Sequence, residues 1–126
     1  MVGRLSAWTI FALAVSGCAE AALPGDSARG AELYEAKCGG CHSLDGNRIG
    51  PAHRGVYGRA AGSAPGFAYS PGLKRSKIVW TAVALDRWLK NPQAMIPGTR
   101  MGFRLDDAQD RADIVAYLKQ QSQPTH

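Results

Sequence analysis

Cys38, Cys41 and His42 form a C-x-x-C-H sequence, the group of residues with the clearest chemistry in this chain. Two thiols three positions apart on one helical turn can each add to one vinyl group of a haem, and the next histidine then lies beneath the iron. Covalent attachment also retains the cofactor in a chain of only 126 residues, whose own core is small. The spacing therefore predicts one covalently attached haem c, with His42 as an iron ligand.

Two other interpretations of the cysteine pair have less support from the surrounding sequence. A redox-active C-x-x-C pair needs a strand followed by a helix, and half of a zinc site needs two further ligands nearby in the sequence. Neither context surrounds Cys38 and Cys41. The histidine directly after the second cysteine favours the haem.

A second iron ligand must come from elsewhere in the chain. Its candidates are Met95, Met101, His53 and His126. Met101 is favoured because residues 97–100, Pro-Gly-Thr-Arg, predict a rigid turn that can present its side chain, and Met/His ligation suits an electron carrier. His53 is too near His42 along the chain to reach the opposite face of the ring, so we expect a packed or surface histidine there.

The first 21 residues have the pattern of an export signal. Arg4 precedes an apolar run over residues 5–15, and small and polar residues follow. The run is shorter than the roughly 20 residues that a membrane-spanning helix needs. We therefore expect residues 1–21 to be removed and residues 22–126 to form the functional domain in the periplasm.

Two processing routes stay open for this signal. Residues 19–21 suit ordinary small-x-small cleavage, whereas residues 15–18 resemble the lipobox of bacterial lipoproteins. In the second route the chain is cut before Cys18, and a lipid on Cys18 anchors it to the membrane. The product is then either soluble or tethered.

The remaining sequence predicts an all-α domain with long loops. Helices are expected from the cap at residues 26–27 to about residue 39, within residues 81–91, and from residues 106–107 to about residue 121. Residues 43–77 contain seven glycines and three prolines and show no sustained periodicity. Such a long loop indicates a domain organised around a large non-protein core.

The charge is mildly basic, with a formal net value of +5. The lysines and arginines are scattered, and an exported chain rarely meets nucleic acid, so a nucleic-acid partner is not expected. An acidic protein or a membrane surface fits this charge better.

Taken together, these motifs resemble the class I cytochromes c, a family that includes the mitochondrial protein and its bacterial relatives. The likeness runs from residue 26 to about residue 119. The segments that carry it are C-G-G-C-H at 38–42, G-P at 50–51, G-R at 58–59, G-S-A-P-G-F-A-Y-S at 62–70, N-P-Q-A-M-I-P-G-T-R-M at 91–101 and A-D-I-V-A-Y-L-K at 112–119.

The resemblance implies the cytochrome c fold, in which the first and last helices pack across each other and a short middle helix and long loops surround one covalent haem. Gly30 and Tyr34 would then lie against Ile114 and Tyr117, and Gly30 would permit a close backbone approach.

The resemblance also assigns the residues around the cofactor. It makes Met101 the distal iron ligand, and it makes the Pro51 carbonyl the acceptor for the free N–H of His42, which would raise the basicity of the imidazole. The remaining cofactor-binding residues are Arg59, Tyr69, Trp80 and Thr99 around the propionates and Trp88 near the distal methionine.

Several positions depart from the family pattern. Trp88 replaces a tyrosine beside the distal methionine, Leu73 replaces an asparagine in the distal water network, and His53 replaces a leucine on the proximal side. The basic ring around the exposed haem edge is thinned, although Lys37 and Arg100 remain.

The function implied by the resemblance is single-electron transfer between redox proteins of a respiratory or photosynthetic chain, with no enzymatic activity. Partners would dock at the exposed haem edge and carry acidic surfaces. Two alternatives stay open: a haem subunit dedicated to one periplasmic oxidoreductase, and a gas-binding or peroxidase-like protein in which Met101 leaves the iron readily.

Overall fold

The computed structural model describes residues 23–125, together with Gly3. The predicted export signal, Cys18 and His126 lie outside the described residues. Within residues 23–125 no helix is both long enough and apolar enough to cross a membrane.

The first helix, α1, spans Ser27–Lys37, and its start is fixed by a side-chain cap. The Asp26 carboxylate accepts hydrogen bonds from the backbone amides of Ala28 and Arg29, two of the amides that a helix start leaves unpaired. Cys38, the first cysteine of the C-x-x-C-H sequence, is the C-cap residue that follows the helix.

The two later predicted helices are also present. Helix α3 spans Ala82–Lys90 with Thr81 as its N-cap, and helix α5 spans Ala108–Gln120 with Asp107 as its N-cap. Both caps are short polar side chains that accept from a backbone amide in the first turn. The all-α fold expected from the sequence is therefore confirmed.

Two short helices were not predicted. Helix α2 spans Pro71–Arg75 inside the segment that we expected to be loop, and helix α4 spans Pro92–Met95. Pro92 ends α3 as predicted, but it also begins α4, because proline lacks only an amide that the first helical position leaves unpaired. In the described part of the chain the only β pairing is an isolated antiparallel bridge between Ala60 and Val79.

Helices α1 and α5 cross each other, and Gly30 marks the point of closest approach. A Cβ atom at Gly30 would collide with the backbone carbonyl of Asp113 and with the side chain of Tyr117. Beside this point the rings of Tyr34 and Tyr117 pack with centroids 5.3 Å apart. Ile114 is fully buried there. The crossing expected from the resemblance is present, and it forms one wall of a large cavity.

Candidate cofactor site

A single apolar cavity of about 320 Å³ brings together every residue that the sequence analysis assigned to cofactor binding. These residues are Cys38, Cys41, His42, Pro51, Arg59, Tyr69, Trp80, Trp88, Thr99 and Met101. They come from the end of α1, from the long loop, from α3 and from the turn after α4. The wall also contains residues that the sequence did not single out for this role, among them Tyr34, Ile49, Phe67, Leu85, Leu89, Phe103 and Leu118.

The two cysteines lie on one tight turn at the end of α1. The amides of Cys41 and His42 both donate to the carbonyl of Cys38, at 3.1 and 2.9 Å. Cys38 is buried against the core, whereas Cys41 is exposed. Burial raises the pKa of the Cys38 thiol to about 11.

His42 is fixed at one ring nitrogen. Its Nδ1 lies 2.9 Å from the carbonyl oxygen of Pro51, which can only accept, so Nδ1 carries the proton and Nε2 is left as the free donor of a lone pair. A side chain at Gly50 would overlap the imidazole, so only glycine lets the loop pass this closely. Burial lowers the pKa of His42, and the bond to Pro51 partly opposes this shift. The neutral imidazole is the form that can ligate a metal.

His53 lies on the same side of the cavity as His42. The two rings are stacked with their centroids 3.9 Å apart and their planes 19° apart. Burial, followed by the charges of His42 and Arg59, lowers the pKa of His53 to about 3. His53 is thus a packed residue next to His42, as we expected from its position in the sequence.

Arg59 presents an unpaired polar group. Its two terminal nitrogens donate to the carbonyls of Arg54 and Ala52, at 3.3 and 3.1 Å. Its Nε is buried and has no partner within the described residues. A buried N–H of this kind is costly unless an acceptor meets it, and a carboxylate matches guanidinium geometry.

Three further polar side chains lie in the same wall. Tyr69, Trp80 and Thr99 are all buried. The Tyr69 hydroxyl accepts a hydrogen bond from the Ala64 amide at 3.0 Å, so its own proton remains available to another acceptor. Trp88 packs edge-to-face on Trp80 with centroids 5.3 Å apart.

Met101 lies at the end of a turn that is held in several places. The Thr99 amide donates to the Ile96 carbonyl at 3.2 Å, and the Gln93 side chain donates to the Met101 carbonyl at 3.3 Å. Gly98 has a φ of +82°, which suits glycine. Met101 lines the cavity, but Met95 does not. Of the two methionine candidates, only Met101 faces the space that His42 faces.

These residues fit a covalently attached haem. The cavity offers apolar walls for a flat ring and two thiols on one turn. It also offers a histidine whose Nδ1 is hydrogen-bonded to Pro51, and the unpaired N–H of Arg59 for a propionate. Cys38, Cys41 and His42 would hold the ring and its iron. Within residues 23–125 no group of three or more Cys, His, Asp or Glu side chains converges as a zinc site would require.

One contact around the cavity had no signal in the sequence. The hydroxyl of Tyr34 lies 3.0 Å from Nδ1 of His53, between residues that are 19 positions apart. The family resemblance placed Tyr34 against α5, and nothing in the loop pattern indicated a partner for its hydroxyl. Only the folded chain brings the two together.

Comparison with known proteins agrees with a site for covalently attached haem. The family profile described as cytochrome c matches residues 27–122. Cytochrome c of Euglena viridis is 46% identical over 98 residues, which cover 75% of this chain and 96% of that protein. Cytochrome c2 of Rhodomicrobium vannielii is 38% identical over 125 residues, which cover 96% of this chain and 92% of that protein.

Among solved structures, cytochrome cH from Methylobacterium extorquens superposes with a TM-score of 0.73 at 41% sequence identity. The match covers 76% of this chain and 99% of the cytochrome cH chain.

Proposed function

Since the chain belongs to the cytochrome c family, binds one covalent haem c and carries electrons between redox partner proteins, we propose that it does so outside the cytoplasm and has no substrate chemistry of its own. Export is supported by the signal pattern of residues 1–21, and the functional domain would be residues 22–126. Both routes of signal removal remain part of this proposal, including a lipid anchor at Cys18.

The observation that carries the proposal is the placement of His42 and Met101 in the wall of one cavity. His42 and Met101 would be the residues that hold the iron of the haem. When bound, the haem supplies a metal that gains and loses one electron. The chain's own part would be to supply a histidine and a methionine as ligands, which would leave no place on the iron for a substrate.

The residues next to the ligands act on them indirectly. The Pro51 carbonyl, 2.9 Å from His42 Nδ1, fixes the tautomer and raises the basicity of the ring. Arg59 offers its unpaired Nε, and Tyr69, Trp80 and Thr99 offer polar groups in the same wall, to the propionates. Trp88 lines the same cavity as Met101, and its indole can donate a hydrogen bond but cannot accept one.

Electrons would enter and leave where the cavity opens to solvent. Two large apolar side chains that line it are exposed, Ile49 at 79% and Phe103 at 38%. Two exposed cations, Lys37 and Arg100, line it as well, whereas none of its described lining residues is an Asp or Glu. We call these four exposed side chains the rim of the cavity. The rim suits an acidic partner that docks mainly through apolar contact and is steered by few charges.

The absorption spectrum of the purified ferric protein tests the ligand assignment. A methionine sulfur on ferric haem iron gives a weak long-wavelength band, and we expect that band at neutral pH. Its absence, together with a high-spin spectrum, would contradict Met101 ligation and would favour the gas-binding or peroxidase-like alternative. Full return of the band when the reduced protein is oxidised again would support a carrier.

A further inference from the structure

His53, which has no role in the proposed ligand set, packs against His42 and is itself bonded to Tyr34. His53 covers one face of the His42 imidazole with a ring-centroid distance of 3.9 Å and an angle of 19° between planes. Nδ1 of His53 lies 3.0 Å from the Tyr34 hydroxyl. The Tyr34 and His53 rings themselves meet edge-on, with centroids 5.7 Å apart.

The backbone holds this stack in place. The His53 amide donates to the carbonyl of Ser43, the residue that directly follows His42, at 3.0 Å. The next amide, that of Arg54, donates to the Leu44 carbonyl at 2.8 Å. The chain segments that carry the two histidines are therefore tied to each other, and their backbones cannot separate without breaking these bonds.

Tyr34 holds the stack from the other side. It is only 5% exposed, and its ring packs on Tyr117 of α5. A buried hydroxyl without a partner is costly, and His53 supplies the partner. The side chain of His53 is thus fixed by the helix crossing as well as by its own loop.

The stack restrains a motion that the Pro51 bond leaves free. A single hydrogen bond at Nδ1 fixes one edge of the His42 ring but still allows the plane to tilt and to rock. A flat neighbour at van der Waals distance opposes that motion across the whole face. A branched aliphatic side chain at position 53 would offer an uneven surface.

We propose that His53 is a positioning residue that fixes the plane of the His42 imidazole, and that Tyr34 holds His53 in place. This rests on the proposed function, in which His42 ligates the iron. The role depends on the shape of the planar ring and on the contact with Tyr34.

The orientation of the axial imidazole plane can be measured directly. In a low-spin ferric haem it helps to govern, together with the orientation of the second ligand, how unpaired spin is spread over the ring. A change in the imidazole plane therefore changes the pattern of the paramagnetically shifted haem-methyl resonances in the NMR spectrum. This readout does not depend on electron-transfer activity. If His53 only filled space, replacing it with leucine or with phenylalanine would change the pattern to the same extent.

The experiment compares H53L, H53F and Y34F with the wild-type holoprotein, and uses Y117F as the control. We expect H53L to change the spread of the haem-methyl resonances, H53F to retain most of the wild-type pattern, and Y34F to give a smaller change in the direction of H53L. Y117F alters the residue that packs on Tyr34 but leaves the Tyr34–His53 bond, so its pattern should match the wild type.

Several results would overturn the proposal. A wild-type pattern in H53L, or equal changes in H53L and H53F, would show that the planar face of His53 does not orient His42. If H53L does not accumulate as holoprotein, Y34F carries the test, because it removes one hydroxyl without changing the core volume; an unchanged pattern then contradicts the proposal. A wild-type protein without shifted methyl resonances would instead contradict the ligand assignment itself.

Discussion

The carboxylate of Asp113 in α5 accepts a hydrogen bond from the backbone amide of Asp26, the N-cap of α1, at 2.8 Å. The same carboxylate accepts from the side chain of Gln109 at 2.8 Å and pairs with the guanidinium of Arg29. Asp113 is only 1% exposed, so these partners replace the water that it loses on folding. Because Gln109 belongs to α5 itself, two of these donors, the Asp26 amide and the Arg29 guanidinium, join the buried carboxylate to α1.

Replacing Asp113 with asparagine should lower the free energy of unfolding of the holoprotein by about 2 kcal/mol, because hydrogen bonds to a charged acceptor are lost while the buried partners remain. Denaturant unfolding followed by circular dichroism measures the change. Asp106→Asn is the matched control, since Asp106 is exposed and adjoins the cap of α5, and it should shift the value by less than about 0.5 kcal/mol. Equal effects of the two changes would contradict this role for Asp113.

The contribution of Asp113 should depend on pH. The hydrogen bond from the Asp26 amide, followed by those from Gln109 and Arg29, lowers the pKa of the Asp113 carboxyl in the folded state. Its stabilisation is therefore complete above the pKa of the unfolded chain, near 4, and is lost as the pH falls from about 5 toward the lower folded pKa. The difference in unfolding free energy between wild type and D113N should shrink over that range. A difference that stays constant from pH 7 to pH 3 would exclude this linkage.

Met101→Ala should leave the haem covalently attached but open one axial position to added ligands. Imidazole or cyanide, titrated into the ferric protein and followed by absorption, should then bind at least tenfold more tightly than to the wild type. Met95→Ala is the control, because Met95 does not line the cavity, and it should keep both the long-wavelength band and the wild-type affinity. Loss of the band in M95A rather than M101A would reverse the assignment.

Electron transfer to an anionic oxidant should slow as salt rises, but only weakly. Lys37 and Arg100 are the exposed cations that line the cavity, and salt screens such charges beyond about 10 Å at 0.1 M. Stopped-flow oxidation by hexacyanoferrate(III) measures the dependence. Lys37→Gln should lower the oxidation rate at low salt and make that rate less sensitive to salt. Lys77→Gln should have little effect, because Lys77 is exposed but does not line the cavity. A rate that rises with salt would contradict the basic rim.

The helices that could be predicted from the sequence are those that have an N-cap residue and are long enough to show a helical spacing of apolar residues. Asp26, Thr81 and Asp107 are local signals, because each side chain bonds to an amide two or three positions away. Helix α2 has a cap too, Ser70, but spans only Pro71–Arg75, which is too short to show a helical period. The sequence around it reads as loop.

The members of the site were predictable because most belong to short motifs with one chemical purpose, such as C-x-x-C-H. The contact between Tyr34 and His53 was not, because it depends on where the long loop returns to the protein after His42. The Ala60–Val79 bridge is similar, since it joins two ends of a glycine-rich segment that shows no period of its own. Such pairings are set by the folded chain and not by local pattern.

The crossing of α1 and α5 also constrains the order of assembly. The bond between Asp26 and Asp113 spans 87 positions, so nearly the whole domain must be synthesised before it can form. Ile114 and Leu118 of α5 line the cavity together with the buried Cys38. The wall of the cavity is therefore incomplete until α5 packs on α1. In this chain the packing of the two helices most distant in sequence also completes the haem site.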